Sequence, residues 1–328
     1  MDRTVRAAVT DALPGATVAS IETPATGNTK RTAFVSLADG RDLVLQSRPA
    51  GEGLRTEVHL AREIERRTDV PIPHVLATGA VDGEEYVLTE RAAGEDLHVR
   101  FVDLDPRDRE AVVRSMGRWL ADLHAAFEFD GYGRVTLADD GDRFAVDEPA
   151  TDWRAWVRDY VGRALDRLAR LDGFVDLVPE IRSAVETDLE ALPSRPPARL
   201  YPWDVRPGNA TVADGRVTAL RDWGEPLAAD RGLSVAKTAY VTVDWYLSDP
   251  GATDRLGAAF REGYRDHLAL PERPVAVRRL YRLAAILASA VDSRGRVTRP
   301  RYPELDDDAA LAFHRRHLRS ALDGETRV

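Results

Sequence analysis

The stretch LYPWDVRPGNATVADGRVTALRDW, residues 200–223, spaces three oxygen-bearing side chains as D-x4-N-x12-D: Asp204, Asn209 and Asp222. Carboxylate and amide oxygens suit a hard cation such as Mg2+, which is commonly held by one or two carboxylates together with substrate phosphates. Asn209 and Asp222 are candidates for such a pair. Asp204 would then stand near a hydroxyl approaching the metal-bound phosphate, as a base or an orienting group. Taken singly, each acid reads more simply as a turn or cap residue. The triplet, set among short apolar runs with Asp214-Gly215 turning one into the next, favours a site.

These residues need elements to position them. Residues 4–13 have helical character, stopped by Pro14-Gly15. Strand chemistry follows at 16–22, 32–37 and 42–47, with Asp39-Gly40 as a hairpin turn between the last two. A helix is expected over 52–67, then an extended stretch from Pro71-Ile72-Pro73 and two strands, 75–81 and 85–91. Beyond Gly94 helices take over. Asp105 and Pro106 start one whose apolar stripe is Val112, Met116, Trp119, Leu120 and Leu123, and others are expected near 153–171, 178–192, 233–247, 253–267, 275–291 and 307–322. The expected class is α+β: a small sheet lobe carrying one main helix over residues 1–92, and a larger, mainly helical lobe over 93–328.

Composition narrows the chemistry. The chain has 328 residues, no cysteine and a net charge of -9, so disulfides, thiolate catalysis and sulfur-ligated zinc are excluded. No run approaches the ~20 apolar residues of a membrane helix, and Met1-Asp2-Arg3-Thr4 does not resemble a secretion signal, so a cytoplasmic protein is expected. An acidic surface argues against a nucleic-acid partner. Of the 46 basic residues, Lys30 and Lys237 are the two lysines; the rest are arginine. Salt adaptation and a GC-rich genome both produce such a bias.

Asp204, Asn209 and Asp222-Trp223, together with TEVHLAREIERRTDVPIPHVLATG, YVLTERAAGEDL and LADLHAAFEFDGYG, resemble the aminoglycoside phosphotransferase and choline kinase-like family in order and spacing. The resemblance spans most of residues 20–270. It implies a bilobal protein-kinase-like fold and transfer of the γ-phosphoryl group of ATP to a hydroxyl of a small molecule, with Asp204 catalytic and Asn209 and Asp222 on Mg2+. It places Gly27 and Asn28 in the phosphate-covering turn, the backbone of Glu90 and Ala92 against adenine, and Glu57 as the helix glutamate that pairs with a strand lysine.

That lysine is Gln46 here, an amide without charge. Lys30, on the strand leaving the phosphate turn, is one candidate to reach the same phosphates, the arrangement one group of protein kinases uses, with a solvated lysine on a sheet edge as its plainer reading; Arg48 is the other candidate, facing the same way as Gln46 if no bulge intervenes. The motif histidine is Pro202, so the support under Asp204 must differ, and Ser234 stands where the family has a later acid, although Asp230 is retained. An atypical kinase is the first reading, and a nucleotide-binding pseudokinase or regulatory module the alternative. His314 and His317, at i, i+3, are expected on the surface. Arg294, Arg296, Arg299 and Arg301 read as a solvated loop. Trp153, Trp156, Tyr160, Trp245 and Tyr246 are either core or the wall of an acceptor pocket.

Overall fold

A computed structural model describes residues 2–24, 30–51, 53–138 and 141–325. The N-terminal lobe comprises α1 (Asp2–Ala12), β1 (Val18–Glu22), β2 (Arg31–Leu37), β3 (Asp42–Pro49), α2 (Leu54–Arg67), β4 (Val75–Val81) and β5 (Glu84–Glu90). Its sheet is antiparallel with order β1-β2-β3-β5-β4. Alternation along β2 and β3 sends Ala33, Val35, Leu43 and Leu45 to one face, where α1 covers them with Val5 and Val9. The opposite face, with Phe34, Val44 and Gln46, lines a cleft. Helix α2 buries Leu54, Val58, Ala61 and Ile64 on one stripe, and Glu57 lies on that stripe too. A buried carboxylate on an apolar face requires a partner.

The chain then passes through β6 (Glu95–Asp96) and α3 (Leu97–Arg100) to α4 (Pro106–Ala126). Asp105 caps α4 by accepting from the Arg107 amide at 2.9 Å, with Pro106 in the first turn. The next elements are β7 (Glu128–Phe129), β8 (Tyr132–Leu137), β9 (Phe144–Ala150), α5 (Trp153–Leu168), α6 (Val178–Leu189), β10 (Ala198–Tyr201), β11 (Ala210–Ala213), β12 (Arg216–Leu220) and β13 (Leu227–Asp230). The chain closes with α7 (Arg231–Ala239), α8 (Pro250–Arg265), α9 (Val275–Ala290) and α10 (Asp307–Leu322). Helices α4 and α8 cross nearly backbone to backbone: a Cβ at Gly263 would stand 1.9 Å from the Arg114 carbonyl oxygen, and one at Gly117 2.2 Å from that of Phe260.

This part is less purely helical than the sequence suggests. Strands β7, β10, β13, β8 and β9 form a second antiparallel sheet, and the β8–β9 hairpin was absent from the expectation. Its strand β9 has no buried residue and carries Asp147, Glu148 and Pro149, so no alternation marks it. The histidines also differ from expectation. His314 is fully buried, bonded to the Tyr240 hydroxyl at 3.0 Å and the Thr298 carbonyl at 2.9 Å, and His317 packs on Phe313 and Tyr240. They share the inward face of α10, and burial lowers the pKa of His314 to about 4 and that of His317 to about 3. In the arginine loop, Arg296 pairs with Asp292, and Arg299 with Glu304 and Asp307. No described helix is long and apolar enough to cross a membrane.

Candidate active site

The β11–β12 hairpin sets the site. Asp214 and Gly215 both take positive φ, 50° and 71°, as a two-residue hairpin turn requires. The register pairs Ala210 with Leu220, so Asn209 faces Arg221 just beyond, and the Arg221 amide donates to the Asn209 carbonyl at 2.8 Å. One backbone bond thus brings Asn209 beside the residue preceding Asp222. Asp222 itself has φ 66°, and Trp223, anchored by its indole N–H on the Leu220 carbonyl at 3.2 Å, is buried beneath it.

Asp204 follows β10. Its amide donates to the Pro202 carbonyl at 2.7 Å, closing a tight turn around Trp203, whose φ is 60°. Left-handed backbone is costly for a residue this bulky and persists where surrounding contacts over-determine it. Asp204 Oδ2 accepts from Arg206 Nε at 3.0 Å and from Asn209 Nδ2 at 3.3 Å, and the same amide nitrogen donates to the Asp204 carbonyl at 2.9 Å. Burial alone would raise the Asp204 carboxyl; the charges of Arg206 and Lys237 and these hydrogen bonds overrule it and hold the acid below its ordinary range. The support that Pro202 cannot give therefore comes from Arg206, Asn209 and Lys237. Neither Arg206 nor Lys237 was singled out from the sequence as a partner of Asp204.

Lys30 lies across the cleft. Its ammonium donates to Glu57 Oε1 and, at 2.9 Å, to Asp222 Oδ1. Burial would lower its pKa, but the two carboxylates raise it above the ordinary lysine value. Gln46 occupies the strand position where a lysine was expected. It faces Thr32 across the ladder, with a long 3.5 Å contact between the side chains, and leaves Glu57 to Lys30.

Between these walls is a cavity of about 480 Å3, lined among others by Phe34, Val44, Gln46, Glu57, Val87 and Asp222. Glu90 and Ala92 border it. The Glu90 amide is spent on the His74 carbonyl at 3.0 Å, whereas the Ala92 amide donates to no described residue. Asp204 and Asn209 lie outside that lining, joined to it through Arg221 and Asp222. Gly27 and Asn28 fall outside the described residues.

The donor set fits a hard divalent cation. With its nitrogen spent on Asp204, Asn209 has its amide oxygen left, and the Asp222 side chain is half exposed. Both are oxygen donors of the kind Mg2+ takes, supplemented by phosphate and water. Among the described residues no cluster of three histidine or acidic side chains offers a competing metal site. Of the five aromatics, Trp153, Tyr160, Trp245 and Tyr246 are buried. Trp153, Trp156 and Tyr160 stack in a row whose end meets Trp203 edge-on at 6.3 Å, so they act as packing under the Asp204 turn.

Comparison with known proteins agrees with this geometry. The family model for the phosphotransferase enzyme family (APH) matches residues 20–276. No curated protein matches the chain. Among solved structures, the aminoglycoside phosphotransferase APH(4)-Ia is 18% identical with TM-score 0.65, covering 99% of this chain and 100% of its own. A protein from Thermobifida fusca YX-ER1 described as a candidate fructosamine-3-kinase is 20% identical with TM-score 0.58, covering 96% of this chain and 99% of its own. The macrolide 2'-phosphotransferase MphH from Brachybacterium faecium is 18% identical with TM-score 0.54, covering 98% of each chain. At these identities the structural likeness is one of fold. The family model, spanning residues 20–276 of 328, settles membership: this chain belongs to the phosphotransferase enzyme family.

Proposed function

We propose that this protein transfers the γ-phosphoryl group of ATP to a hydroxyl of a small molecule, with Mg2+ as cofactor. The observation that carries the reading is the bridge Glu57–Lys30–Asp222, which joins α2, β2's leading edge and the end of the β11–β12 hairpin at the mouth of the cleft. A cation held there by two acids is suited to phosphate oxygens entering from the adjoining cavity. ATP-analogue binding is described for one relative of similar fold, a thermostable mutant of APH(4)-Ia in ternary complex with AMP-PNP and hygromycin B, 19% identical with TM-score 0.66.

In this reading the adenine lies between the apolar side chains of the cleft, including Val44 and Val87, with the Ala92 amide, which donates to no described residue, at the 90–92 segment. The segment 1–92 forms the covering unit and 93–328 carries the acceptor. Lys30 binds the non-transferred phosphates, taking the place that Gln46 leaves without charge. Asn209 and Asp222 hold Mg2+, which neutralises phosphate charge when bound. Asp204 accepts the proton of the acceptor hydroxyl as its oxygen bonds to the γ-phosphorus, the bond to the β–γ bridging oxygen breaks, and ADP leaves. Such catalysis rests on positioning and charge more than on a reactive side chain. A cytoplasmic setting, where ATP is available, fits this role.

The test is a panel of hydroxylated small molecules, sugars, amino alcohols and aminoglycosides among them, incubated with the protein, ATP and Mg2+. The expected result is ADP formation that depends on one acceptor class, with a phosphorylated product by mass spectrometry. Absence of ADP above background with every class, and of any thermal shift with Mg-ATP, counts against the reading.

A further inference from the structure

The sequence has two lysines among 46 basic residues, and the fold shields both side chains, Lys30 beside Glu57 and Asp222 and Lys237 near Asp204. Wherever a surface cation is needed this chain uses arginine. Lys237 is therefore a position where a compact ammonium is kept and a planar guanidinium, with five donors to satisfy, is not.

Lys237 is on α7, whose residues 232–239 are all buried, and is itself 2% exposed. Its Nζ lies over the Trp203 ring, 5.1 Å from the centroid, and donates no hydrogen bond to any described residue. An ammonium with so little solvent contact and no hydrogen bond to a described residue is expensive. The charges that act on it are those of Asp204 and Arg206. Other ionisable groups on the surrounding elements are spent elsewhere. Asp230, at the end of β13, accepts from Arg273 at 2.6 Å; Arg282 on α9 pairs with Asp244 at 2.7 Å; His124 on α4 is bonded to Tyr264 at 2.8 Å; and the hydroxyls of Tyr160 on α5 and Tyr201 on β10 meet at 3.1 Å. Asp204 gives its Oδ2 to Arg206 and Asn209, while no described residue donates to Oδ1.

From this juxtaposition we propose that Lys237 is a positioning residue for phosphoryl transfer: through the Trp203 ring it secures the left-handed turn that carries Asp204, and so fixes where the carboxylate oxygen free of Arg206 and Asn209 stands. The inference rests on the phosphotransferase reading above. It gives α7, by way of a cation–π contact and a through-space charge, the supporting task that the Pro202 side chain cannot perform. A lysine kept only for stability would contribute through packing, and methionine, of similar length, would replace it with a gain, since removing an unpartnered buried charge relieves its desolvation.

The experiment combines Lys237→Met with Asp204→Asn and uses water as the acceptor, following Mg-ATP hydrolysis alongside thermal denaturation. In Lys237→Met, kcat is expected to fall about 100-fold with KM for ATP changed less than about twofold, while Tm rises by about 3 °C. The pH profile of the parent's kcat is expected to fall off above about pH 8, where Lys237 loses its proton, since burial lowers its pKa to about 8. That limb is expected to be missing from Lys237→Met. The Tm cycle is expected to be non-additive, with methionine raising Tm more when Asp204 is already asparagine. Turnover like the parent's, a Tm that falls or a protein that fails to fold, or additive Tm changes would each overturn the inference. A parent that leaves ATP intact both in water and with every acceptor class of the panel, while the Tm cycle stays non-additive, sinks the kinase reading and leaves the Lys237–Asp204 coupling in place.

Discussion

Beside the cleft Lys30 spends its ammonium on two carboxylates, Glu57 and Asp222; under the Asp204 turn, outside the cleft lining, Lys237 lies over the Trp203 ring without a hydrogen-bonded partner among the described residues. Both side chains are shielded from solvent, and the balance of terms comes out in opposite directions. For Lys30, burial is outweighed by two neighbouring acids and its pKa rises; for Lys237, burial wins over Asp204 and the pKa falls to about 8. The contrast teaches that, against the burial both share, the balance of neighbouring charges decides the outcome: two acids, also hydrogen-bonded, hold Lys30, whereas Lys237 has one acid opposed by Arg206.

Removing the held cation should have the larger effect. Lys30→Met leaves Glu57 buried without its partner and takes a charge from the proposed phosphate site, so Mg-ATP affinity is expected to drop about 100-fold by calorimetric titration. Affinity within about twofold of the parent would place phosphate binding elsewhere. The second test reads pH. In metal-free protein Lys30, with its folded pKa raised, contributes stability that is present below its unfolded value and lost as pH rises through the folded one. Lys237 has the opposite sign: between about 8 and 10.5 the unfolded chain binds the extra proton, so its cost is full below that window and is relieved across it. The Tm advantage of Lys237→Met over the parent should therefore shrink by a few degrees between pH 7 and pH 10, whereas a gap constant with pH would mean that Lys237 titrates normally. The smallest effect is expected from Gln46→Lys. A second ammonium on the same cleft face should alter Mg-ATP affinity less than about threefold in the parent, yet recover about tenfold in the Lys30→Met background, because Gln46 already lines the cavity. No recovery would show that position 46 cannot reach Glu57.

Much of this is legible in the sequence alone. The strand, helix and turn order of the first 90 residues follows from alternation, Asp-Gly turns and proline stops, and the hairpin between Asn209 and Asp222 from apolar runs around Asp214-Gly215. Lys30 could be named because its strand position competes with that of Gln46. Arg206 and Lys237 could not be tied to Asp204, since one sits in a turn whose left-handed Trp203 no spacing predicts and the other is 33 residues further on, across a helix packing. The rarity of lysine was the available signal for Lys237, and it was read as a property of the proteome. His314 and His317 were placed on the surface because i, i+3 spacing marks a face without saying whether that face turns inward. The β8–β9 hairpin escaped because β9, acidic and without a buried residue, shows no buried side.

The central claim is that Asp204, held by Arg206 and Asn209, acts on the acceptor while the Lys30 wall binds nucleotide. Its most direct test is Asp204→Ala, with Mg-ATP binding and phosphoryl transfer measured on the same preparation. Transfer is expected to fall to background with the dissociation constant for Mg-ATP within about threefold of the parent. Transfer at the parent rate would contradict the account.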